Sequence, residues 1–396
     1  MAFEKAFIPY GGYWSTPFCR WQGSLSEQNS VELAARTAGR FLAERSVPAD
    51  QLGGVVLGFT VPQHRSFYGG PWGAVLAGLP AVTGPMVSQA CATSARVLFE
   101  AAAEIETGMR SGILALTCDR TSNGPHVYYP STAGVGGRGA TEEWVWGDFN
   151  ADPNTVQAML LTAENVAKRF GISKQEQDEL TLLRNEQYQA ALADDRAFQR
   201  RYMFPVEIPK GRKKTVMVEA DEGVFPTTAE GLAGLRPVMP DGTVSFGTQT
   251  YPADGNAGMI VTTRERAAAL SRDGGPVIQV VSFGDARVEK AHMPMAVVPA
   301  AKQALERAGI SAKDCAAIKT HNPFAVNDVL LSRELSVPFE SFNNNGSPLV
   351  YGHPQGPTGM RVMVEMIEEI VQKGGGYGLF AGCAAGDTAM ATVIKI

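Results

Sequence analysis

The sequence predicts an α/β protein built from two similar halves. Apolar side chains recur at helical spacing over residues 30–44, and a short polar turn leads from them to a buried strand candidate at residues 54–59. The same order returns late in the chain, where a helix around residues 300–308 precedes a strand at 316–319. Alternating helices and strands at both ends predict parallel sheets made of βαβ units, so we expect a duplicated α/β core.

The middle of the chain differs in composition from the two ends. It is richer in Trp, Tyr, Gly and charged residues, and it holds one long predicted helical stretch over residues 162–193. We interpret residues 121–249 as an inserted loop domain that covers one face of the core. The N-terminal half then spans residues 1–120 and resumes over 250–275, and the C-terminal half spans 276–396.

The composition is that of a globular protein with a large core. The chain has 396 residues, of which 44% are hydrophobic, and a formal net charge of −5. This acidic balance argues against a nucleic-acid partner, because the single basic run at 210–214 is short. With no signal-like start and no long apolar run, we expect a cytoplasmic protein without a membrane partner.

Five scattered cysteines without a C-x-x-C pair indicate reduced thiols, and Cys91 has the most suggestive position. It precedes a predicted helix whose apolar residues are Leu98, Ala101, Ala102, Ile105 and Met109. Unpaired N–H groups and the dipole at a helix start favour a thiolate, which makes Cys91 a candidate nucleophile. Considered alone, the alternative of a small buried cysteine that packs like Ala is the commoner case.

Three other loops carry residues of catalytic type. His321 follows a predicted strand, and ligands bind at such carboxyl ends in open α/β sheets. His353 lies in a turn stiffened by Pro354 and Pro357, and Cys383 lies between the last two predicted strands and is followed by small residues. A purely structural role in a turn remains the alternative for each of the three residues.

Together the four segments resemble the thiolase family, and the resemblance runs over nearly the whole chain. The four matching loops are the nucleophile loop at Cys91, the N-E-A-F or H-D-C-F loop at His321-Asn322-Pro323-Phe324, the G-H-P loop at Gly352-His353-Pro354 and the C-x-G loop at Cys383. The resemblance implies a five-layer αβαβα core from two duplicated halves with an inserted loop domain.

The resemblance also implies how the four residues divide the chemistry. Cys91 is acylated and deacylated, His353 activates it, and Cys383 acts as acid or base on the α-carbon or the leaving thiol. His321 stands where many thiolases carry Asn, and we expect it to polarise the thioester oxygen. Coenzyme A and acyl-CoA are then substrates and products, no cofactor is bound permanently, and no metal site is expected.

A further set of residues is expected in the oxyanion hole or in substrate binding. Its members are Ala385, Gly386, Asn322, Phe324, Thr250, Gly352, Ala158 and Met159. Three of them mark departures from the family. Ala385 replaces a Gly, Thr250 replaces a CoA-contacting Ser, and Ala158 replaces a His. Because the two tryptophans Trp144 and Trp146 also lie just upstream of Ala158, the acyl pocket is expected to suit a group other than acetoacetyl.

These features predict a thiolase that cleaves or forms β-ketoacyl-CoA, most consistent with a degradative role and a branched, steroid or aryl-substituted substrate. His321 places the chain nearer the sterol-carrier-protein-type branch. The resemblance implies a homodimer or a dimer of dimers. Two alternatives stay open: a subunit that needs a small OB-fold, zinc-containing partner, for example on benzoylsuccinyl-CoA, and a decarboxylating ketoacyl synthase-like condensing enzyme.

Overall fold

The structure, a computed structural model, describes residues 2–211 and 214–396, so part of the basic run at 210–214 lies outside the described residues. The helices of five residues or more are Ser30–Glu44, Gly69–Leu76, Thr93–Glu106, Trp146–Asn150, Met159–Phe170, Lys174–Ala191, Ala229–Gly234, Arg264–Leu270, Val297–Ala308, Ala325–Leu335 and Thr358–Gln372. The strands are Phe7–Pro9, Tyr13–Ser15, Cys19–Arg20, Gly54–Gly58, Met86–Val87, Gly112–Arg120, His126–Tyr129, Ala140–Glu143, Val206–Lys210, Lys214–Val218, Ala253–Thr262, Val277–Arg287, Cys315–His321, Tyr377–Ala384 and Thr388–Lys395. Within the described residues, no helix is both long and apolar enough to cross a bilayer.

The N-terminal half contributes a mixed sheet to the core. Gly54–Gly58 runs parallel to Gly112–Arg120 and to the edge strand Met86–Val87. Gly112–Arg120 in turn pairs antiparallel with Ala253–Thr262, which the chain reaches only after residue 249. The parallel pairs expected from the βαβ pattern are present in this half, and strands that are distant in sequence close it with an antiparallel pair.

The C-terminal half repeats this arrangement. Cys315–His321 runs parallel to Tyr377–Ala384, which pairs antiparallel with Thr388–Lys395. That strand pairs antiparallel with Val277–Arg287, and the short strand Phe7–Pro9 joins the two halves into one sheet path. The parallel pair followed by an antiparallel neighbour occurs in both halves in the same order. The duplication predicted from the sequence is thus present in the topology.

Two helices form the central layer between the halves. Thr93–Glu106 packs against the N-terminal strands and Thr358–Gln372 against the C-terminal ones, and the two helices contact each other. Gly359 allows the close approach, because a Cβ there would lie 3.0 Å from the Cβ of Ser94. Buried apolar side chains from both helices meet in one cluster, and burying each Leu- or Met-sized side chain contributes about 2 kcal/mol.

The outer layers consist of helices on the far side of each half. Ser30–Glu44 and Gly69–Leu76 cover the N-terminal strands, and Val297–Ala308 covers the C-terminal strands together with Ala325–Leu335. The order helix, sheet, helix, sheet, helix is the predicted five-layer αβαβα core. The two central helices start at the loops that carry Cys91 and His353, so the duplication brings these loops to the same end of the core.

The segment 121–249 leaves the sheet after Gly112–Arg120 and returns at Ala253–Thr262. The single helix expected over 162–193 is wrong, because the structure has Met159–Phe170 and Lys174–Ala191 instead. Gly171 ends the first helix with a left-handed φ of 61°, and Ser173 starts the second with a capping box.

Candidate active site

Cys91 lies in the loop that leads into the central helix Thr93–Glu106. Burial raises the pKa of its thiol to about 12, and the backbone N–H of Ala385 opposes this rise. The charge of Asp119 raises the pKa further. The expected preference for a thiolate at the helix start is therefore outweighed by desolvation. Cys91 is a thiol at neutral pH and needs a base to become a nucleophile.

His353 is held beside Cys91 by a short backbone bridge. Its N–H donates to the carbonyl of Tyr251 over 2.9 Å, and Gly352 permits this approach with a φ of 88°. Nδ1 of His353 lies 2.7 Å from Oγ1 of Thr358, which fixes the plane of the ring. Burial and the neighbouring His321 hold the pKa of His353 well below its usual range. A neutral ring whose Nδ1–H donates to Thr358 leaves Nε2 free to accept a proton from Cys91.

His321 ends the strand Cys315–His321, and its Nδ1 lies 3.2 Å from the carbonyl oxygen of Cys383. Burial lowers the pKa of His321 to about 4, so the ring is neutral in the physiological range. Because a carbonyl only accepts, Nδ1 carries the proton of the neutral ring and Nε2 is an acceptor. His321 therefore becomes a donor at Nε2 only after it takes up a second proton.

Cys383 lies near the end of the buried strand Tyr377–Ala384. Its Sγ accepts a hydrogen bond of 3.3 Å from Nδ2 of Asn327, a residue on the helix Ala325–Leu335. Burial raises the pKa of the Cys383 thiol, a Cys91 thiolate raises it further, and the Asn327 amide lowers it. Cys383 is thus a neutral thiol that can give or take a proton beside Cys91.

Three of the four side chains form one compact group. Sγ of Cys91 and one ring nitrogen from each of His321 and His353 all lie within 4.8 Å of one another. The Nε2 atoms of both rings are buried without a hydrogen-bond partner in the part of the chain that the structure describes. Such atoms could bind a soft metal ion, but the same thiol and imidazoles also serve acyl transfer without an ion. The absence of a metal site stays a prediction.

The loop after Cys383 supplies backbone donors. The N–H of Ala385 faces the sulfur of Cys91, as its effect on the thiol pKa shows. Gly386 follows with a φ of 80°, a left-handed turn that Gly adopts without strain. The carboxylate of Asp387 then accepts the N–H groups of Ala291 and His292, which ties the loop to the neighbouring segment.

Asn322, Phe324 and Thr250 hold the His321 loop in place. The Asn322 amide donates to Asp328 over 2.8 Å and accepts from the Leu349 N–H, so both of its polar ends have protein partners. Thr250 donates its N–H to the carbonyl of Pro323 and its hydroxyl to the carbonyl of Pro348. Phe324 is buried. In these contacts the three residues shape the loop that carries His321.

Ala158 and Met159 lie at the start of the helix Met159–Phe170, Ala158 as its N-cap residue. Met159 packs against the apolar cluster of the C-terminal half. Within the described residues, no hydrogen bond links either residue to the side chains of Cys91, His321, His353 or Cys383. Upstream, Trp144 donates its indole N–H to the carbonyl of Thr60 over 2.9 Å, which attaches the inserted segment to the N-terminal half.

Comparison with known proteins decides the family. Sequence profiles of the thiolase N-terminal domain and the thiolase C-terminal domain match residues 13–265 and 275–396. The chain belongs to the thiolase family. As a thiolase it is an acyltransferase, with CoA and acyl-CoA as substrates and products and no permanently bound cofactor.

Several relatives match this thiolase over almost its full length. Beta-ketothiolase BktB of Cupriavidus necator is 31% identical over 382 residues, which cover 94% of this chain and 95% of the relative. An acetyl-CoA acetyltransferase of Pseudomonas aeruginosa is 28% identical over 94% of this chain and 95% of its own. The crystal structure of the Bacillus anthracis acetyl-CoA acetyltransferase superposes with a TM-score of 0.91 at 27% identity, covering 100% of this chain and 99% of the other.

The fold also matches human mitochondrial 3-ketoacyl-CoA thiolase in complex with CoA. That structure superposes with a TM-score of 0.90 at 24% identity, and it covers 100% of this chain and 99% of the other. At this identity the likeness concerns the fold. It confirms the thiolase-like core expected from the four loops.

Sequence reasoning missed several polar residues around the four candidate catalytic side chains of this thiolase. Gln355 and Thr358 lie within the G-H-P loop, and their contacts with Cys91 and His353 form only when the two halves meet. Asn327 lies one helical turn after the His321 loop. Polar residues inside or just after a matched motif were the available signal for all three.

Asp119 is a further missed residue, buried at the end of the strand Gly112–Arg120. Its carboxylate accepts the N–H groups of Thr60, Val61 and Gly356. Burial raises the pKa of Asp119 to about 7, and these donors oppose the rise. The contact with Gly356 attaches the His353 loop to the N-terminal sheet.

Proposed function

We propose that the chain is a degradative thiolase in which Cys91 carries the acyl group during cleavage of β-ketoacyl-CoA. The observation that carries this proposal is the arrangement of Cys91 with two neutral imidazoles within 4.8 Å. A second thiol, Cys383, lies close enough for a Cys91 thiolate to raise its pKa, and its sulfur accepts a hydrogen bond from Asn327. Acyl transfer needs a base for the first thiol, and carbon–carbon cleavage needs a second proton carrier.

The cleavage steps follow from these positions. Nε2 of His353 takes the proton of Cys91, and the sulfur attacks the β-keto carbon of the substrate. The bond between the α- and β-carbons then breaks, its electron pair stays on the α-carbon, and Cys383 protonates that carbon as acetyl-CoA leaves. The thiol of a free CoA gives its proton to the Cys383 thiolate and attacks the acyl group on Cys91, and the released sulfur of Cys91 regains its proton from His353. Synthesis is the same sequence in reverse.

Two groups are positioned to stabilise the oxyanions of these steps. The backbone N–H of Ala385 faces the sulfur of Cys91, where the tetrahedral carbon forms. His321 donates from Nε2 only in the state in which it, and not His353, holds the extra proton released by a thiol. Removing one donor from an oxyanion hole typically lowers kcat by roughly 10²–10³-fold.

We further propose a substrate bulkier than acetoacetyl-CoA, such as a branched, steroid or aryl-substituted β-ketoacyl-CoA. Ala158 leaves more room than the His common in short-chain thiolases. The inserted segment also places aromatic side chains together, since the rings of Trp21 and Trp146 are 5.2 Å apart and Phe149 packs on Trp146. His321 is the residue that suggests the sterol-carrier-protein-type branch.

The domain division proposed from the sequence gives the inserted segment a role as well. Residues 121–249 would form a cover over the acyl pocket, while 1–120 with 250–275 and 276–396 form the two halves. The hydrogen bond from Trp144 to Thr60 supports a fixed position of this cover.

A homodimer or a dimer of dimers is the proposed assembly. Met86–Val87 is the last strand at one end of the main sheet, and among the residues that the structure describes no other strand pairs with its outer side. Apolar side chains are exposed around it, with Met86 at 39% and Phe67 at 93% relative exposure. An exposed apolar edge of this kind suits pairing with a second copy.

Two related activities are kept as second candidates. The pair of neutral histidines beside one cysteine also suits a decarboxylating ketoacyl synthase-like enzyme, but such an enzyme has no use for Cys383. The substituted position Ala158 is compatible with a subunit that needs a small OB-fold, zinc-containing partner on aryl-substituted acyl-CoA. Both candidates share the acylation of Cys91.

A CoA-dependent cleavage assay tests the proposal. The protein is tested alone and with the products of neighbouring genes against short-chain, long-chain, branched and aryl β-ketoacyl-CoA. We expect thiolysis by the protein alone, with higher kcat/KM for branched or aryl substrates than for acetoacetyl-CoA. A preference for acetoacetyl-CoA would refute the bulky substrate, and release of CO₂ from a malonyl-CoA donor would favour the condensing enzyme.

A further inference from the structure

Gln355 has a direct contact with the nucleophile that the mechanism above does not use. Its Oε1 lies 2.9 Å from Sγ of Cys91, and this is a hydrogen bond from the thiol to the amide oxygen. The residue is buried, with 7% relative exposure. Its position between His353 and the start of the Thr358–Gln372 helix places it in the same loop as the base.

The backbone around Gln355 is held from several sides. Gln355 has a left-handed φ of 61°, which costs a non-Gly residue about 1 kcal/mol or more. The next residue, Gly356, donates its N–H to Asp119 over 2.8 Å and accepts a hydrogen bond from Ser94. The carbonyl of Gln355 accepts the N–H of Thr358. These contacts hold the strained backbone of Gln355 in place. The side chain therefore starts from a fixed Cα position next to Cys91.

A carboxamide suits both protonation states of a thiol. Its oxygen accepts from S–H, and rotation by about 180° around the terminal side-chain bond presents an N–H donor at nearly the same place. The side chain of Gln355 makes no other hydrogen bond within the described residues, so this rotation breaks no second contact. Neither Glu, Met nor Leu can serve both states in this way.

Before proton transfer, the other side chains that face Cys91 offer no charge that favours a thiolate, and the donors already present are the backbone N–H groups of Ala385 and Cys91. His321 and His353 are neutral and buried, Cys383 is a thiol, and the Asp119 carboxylate disfavours negative charge. The backbone N–H of Ala385 is a donor, but in acyl transfer it serves the substrate oxygen. When His353 takes the proton, its new Nε2–H faces the thiolate, and Gln355 is the side chain that can add a second donor.

We propose that Gln355 is a further catalytic group at Cys91, which accepts the S–H of the resting thiol through Oε1 and donates to the thiolate through Nε2. When the S–H bond breaks, the proton passes to Nε2 of His353 and the electron pair stays on sulfur. The amide then turns and stabilises this charge until the sulfur attacks. The inference rests on the proposed role of Cys91 as the nucleophile.

Alkylation of Cys91 by iodoacetamide tests this without any acyl-CoA. Rates are measured by peptide mass spectrometry at several pH values for the wild type and for Gln355→Met and Gln355→Glu. Gln355→Met keeps the length of the side chain and removes both donor and acceptor, and Gln355→Glu keeps only acceptors. Gln177→Met, which removes the buried amide bonded to Thr243 in the inserted segment, is the matched control.

We expect Gln355→Met to slow alkylation about ten-fold at a given pH, because a hydrogen bond to a charged group is worth about one pKa unit of the thiol. Gln355→Glu is expected to be slower still, and Gln177→Met to match the wild type. An unchanged or faster rate in a folded Gln355→Met protein would overturn the proposal. If this order holds in an enzyme that shows no thiolysis, the proposed function fails and the inference about Gln355 stands.

Discussion

The rings of His321 and His353 lie 4.2 Å apart, centroid to centroid, with their planes inclined by 35°. Both are buried and neutral, and each has its Nδ1 held by a different partner, a carbonyl for His321 and a hydroxyl for His353. Two stacked imidazoles cannot both be charged at low cost in a buried site. The two neutral rings can therefore take up one additional proton between them. This suits a cycle in which the Cys91 thiol gives up its proton and later regains it.

Thr358→Val should slow turnover by about ten-fold or more, because Nδ1 of His353 loses the partner that fixes the ring. KM should change little, since Thr358 has no proposed contact with substrate. Steady-state thiolysis measures both values. Thr37→Val, which removes a buried hydroxyl in the Ser30–Glu44 helix, is the control. Equal losses in the two variants would show that the Thr358 hydroxyl has no specific role.

Cys383→Ala should leave acylation of Cys91 nearly intact and slow carbon–carbon cleavage by about 100-fold or more, because the α-carbon loses its proton donor. Single-turnover experiments separate the two steps: acylation by acetyl-CoA and thiolysis of a β-ketoacyl-CoA. Cys118→Ala, a second buried thiol in the N-terminal half, is the control. If both steps fall equally, the two cysteines do not divide the chemistry as proposed.

His321→Asn should make the fold less sensitive to acid. The unfolded chain binds a proton at an ordinary His pKa of about 6.5, whereas the folded state resists protonation down to about 4. Stability is therefore lost as the pH falls below about 6.5, by roughly 2 kcal/mol at pH 5. Urea unfolding at pH 7 and pH 5 should show this loss in the wild type and in His64→Asn, which removes an exposed imidazole, but a smaller one in His321→Asn. The same loss in all three proteins would contradict the prediction.

Asp119→Ala should lower the free energy of unfolding by about 3 kcal/mol or more, because three buried backbone N–H groups lose their acceptor. It should also reduce turnover, since Gly356 and the His353 loop lose their attachment to the N-terminal sheet. Chemical denaturation gives the first value and thiolysis the second. Asp50→Ala at an exposed position is the control. A loss below about 1 kcal/mol would mean that these donors find other partners.

The sequence was informative about the elements that have local signals. Helical spacing identified the outer helices that begin at Ser30 and Val297, and four motif loops identified the family. The antiparallel closure of each half was not predictable in this way, because Ala253–Thr262 reaches its partner strand only after the inserted segment. The break at Gly171 was missed because the residues on both sides of it are good helix formers.

In the candidate site, the sequence named the four side chains proposed to be catalytic, but it did not reveal their protonation states. A helix start suggested a thiolate at Cys91, yet burial raises its pKa to about 12. Burial depends on how the two halves pack, and no local pattern records it. The contacts of Gln355 and Asn327 depend on the same packing, since each joins residues that are distant in sequence.

The central claim is that Cys91 carries the acyl group. Intact-mass analysis after incubation with acetyl-CoA or a β-ketoacyl-CoA measures this directly, with peptide mapping to locate the adduct. We expect one acyl group per chain on Cys91 in the wild type, its removal by free CoA, and no adduct in Cys91→Ala. An adduct that persists in Cys91→Ala, or one mapped to Cys383, would contradict the account.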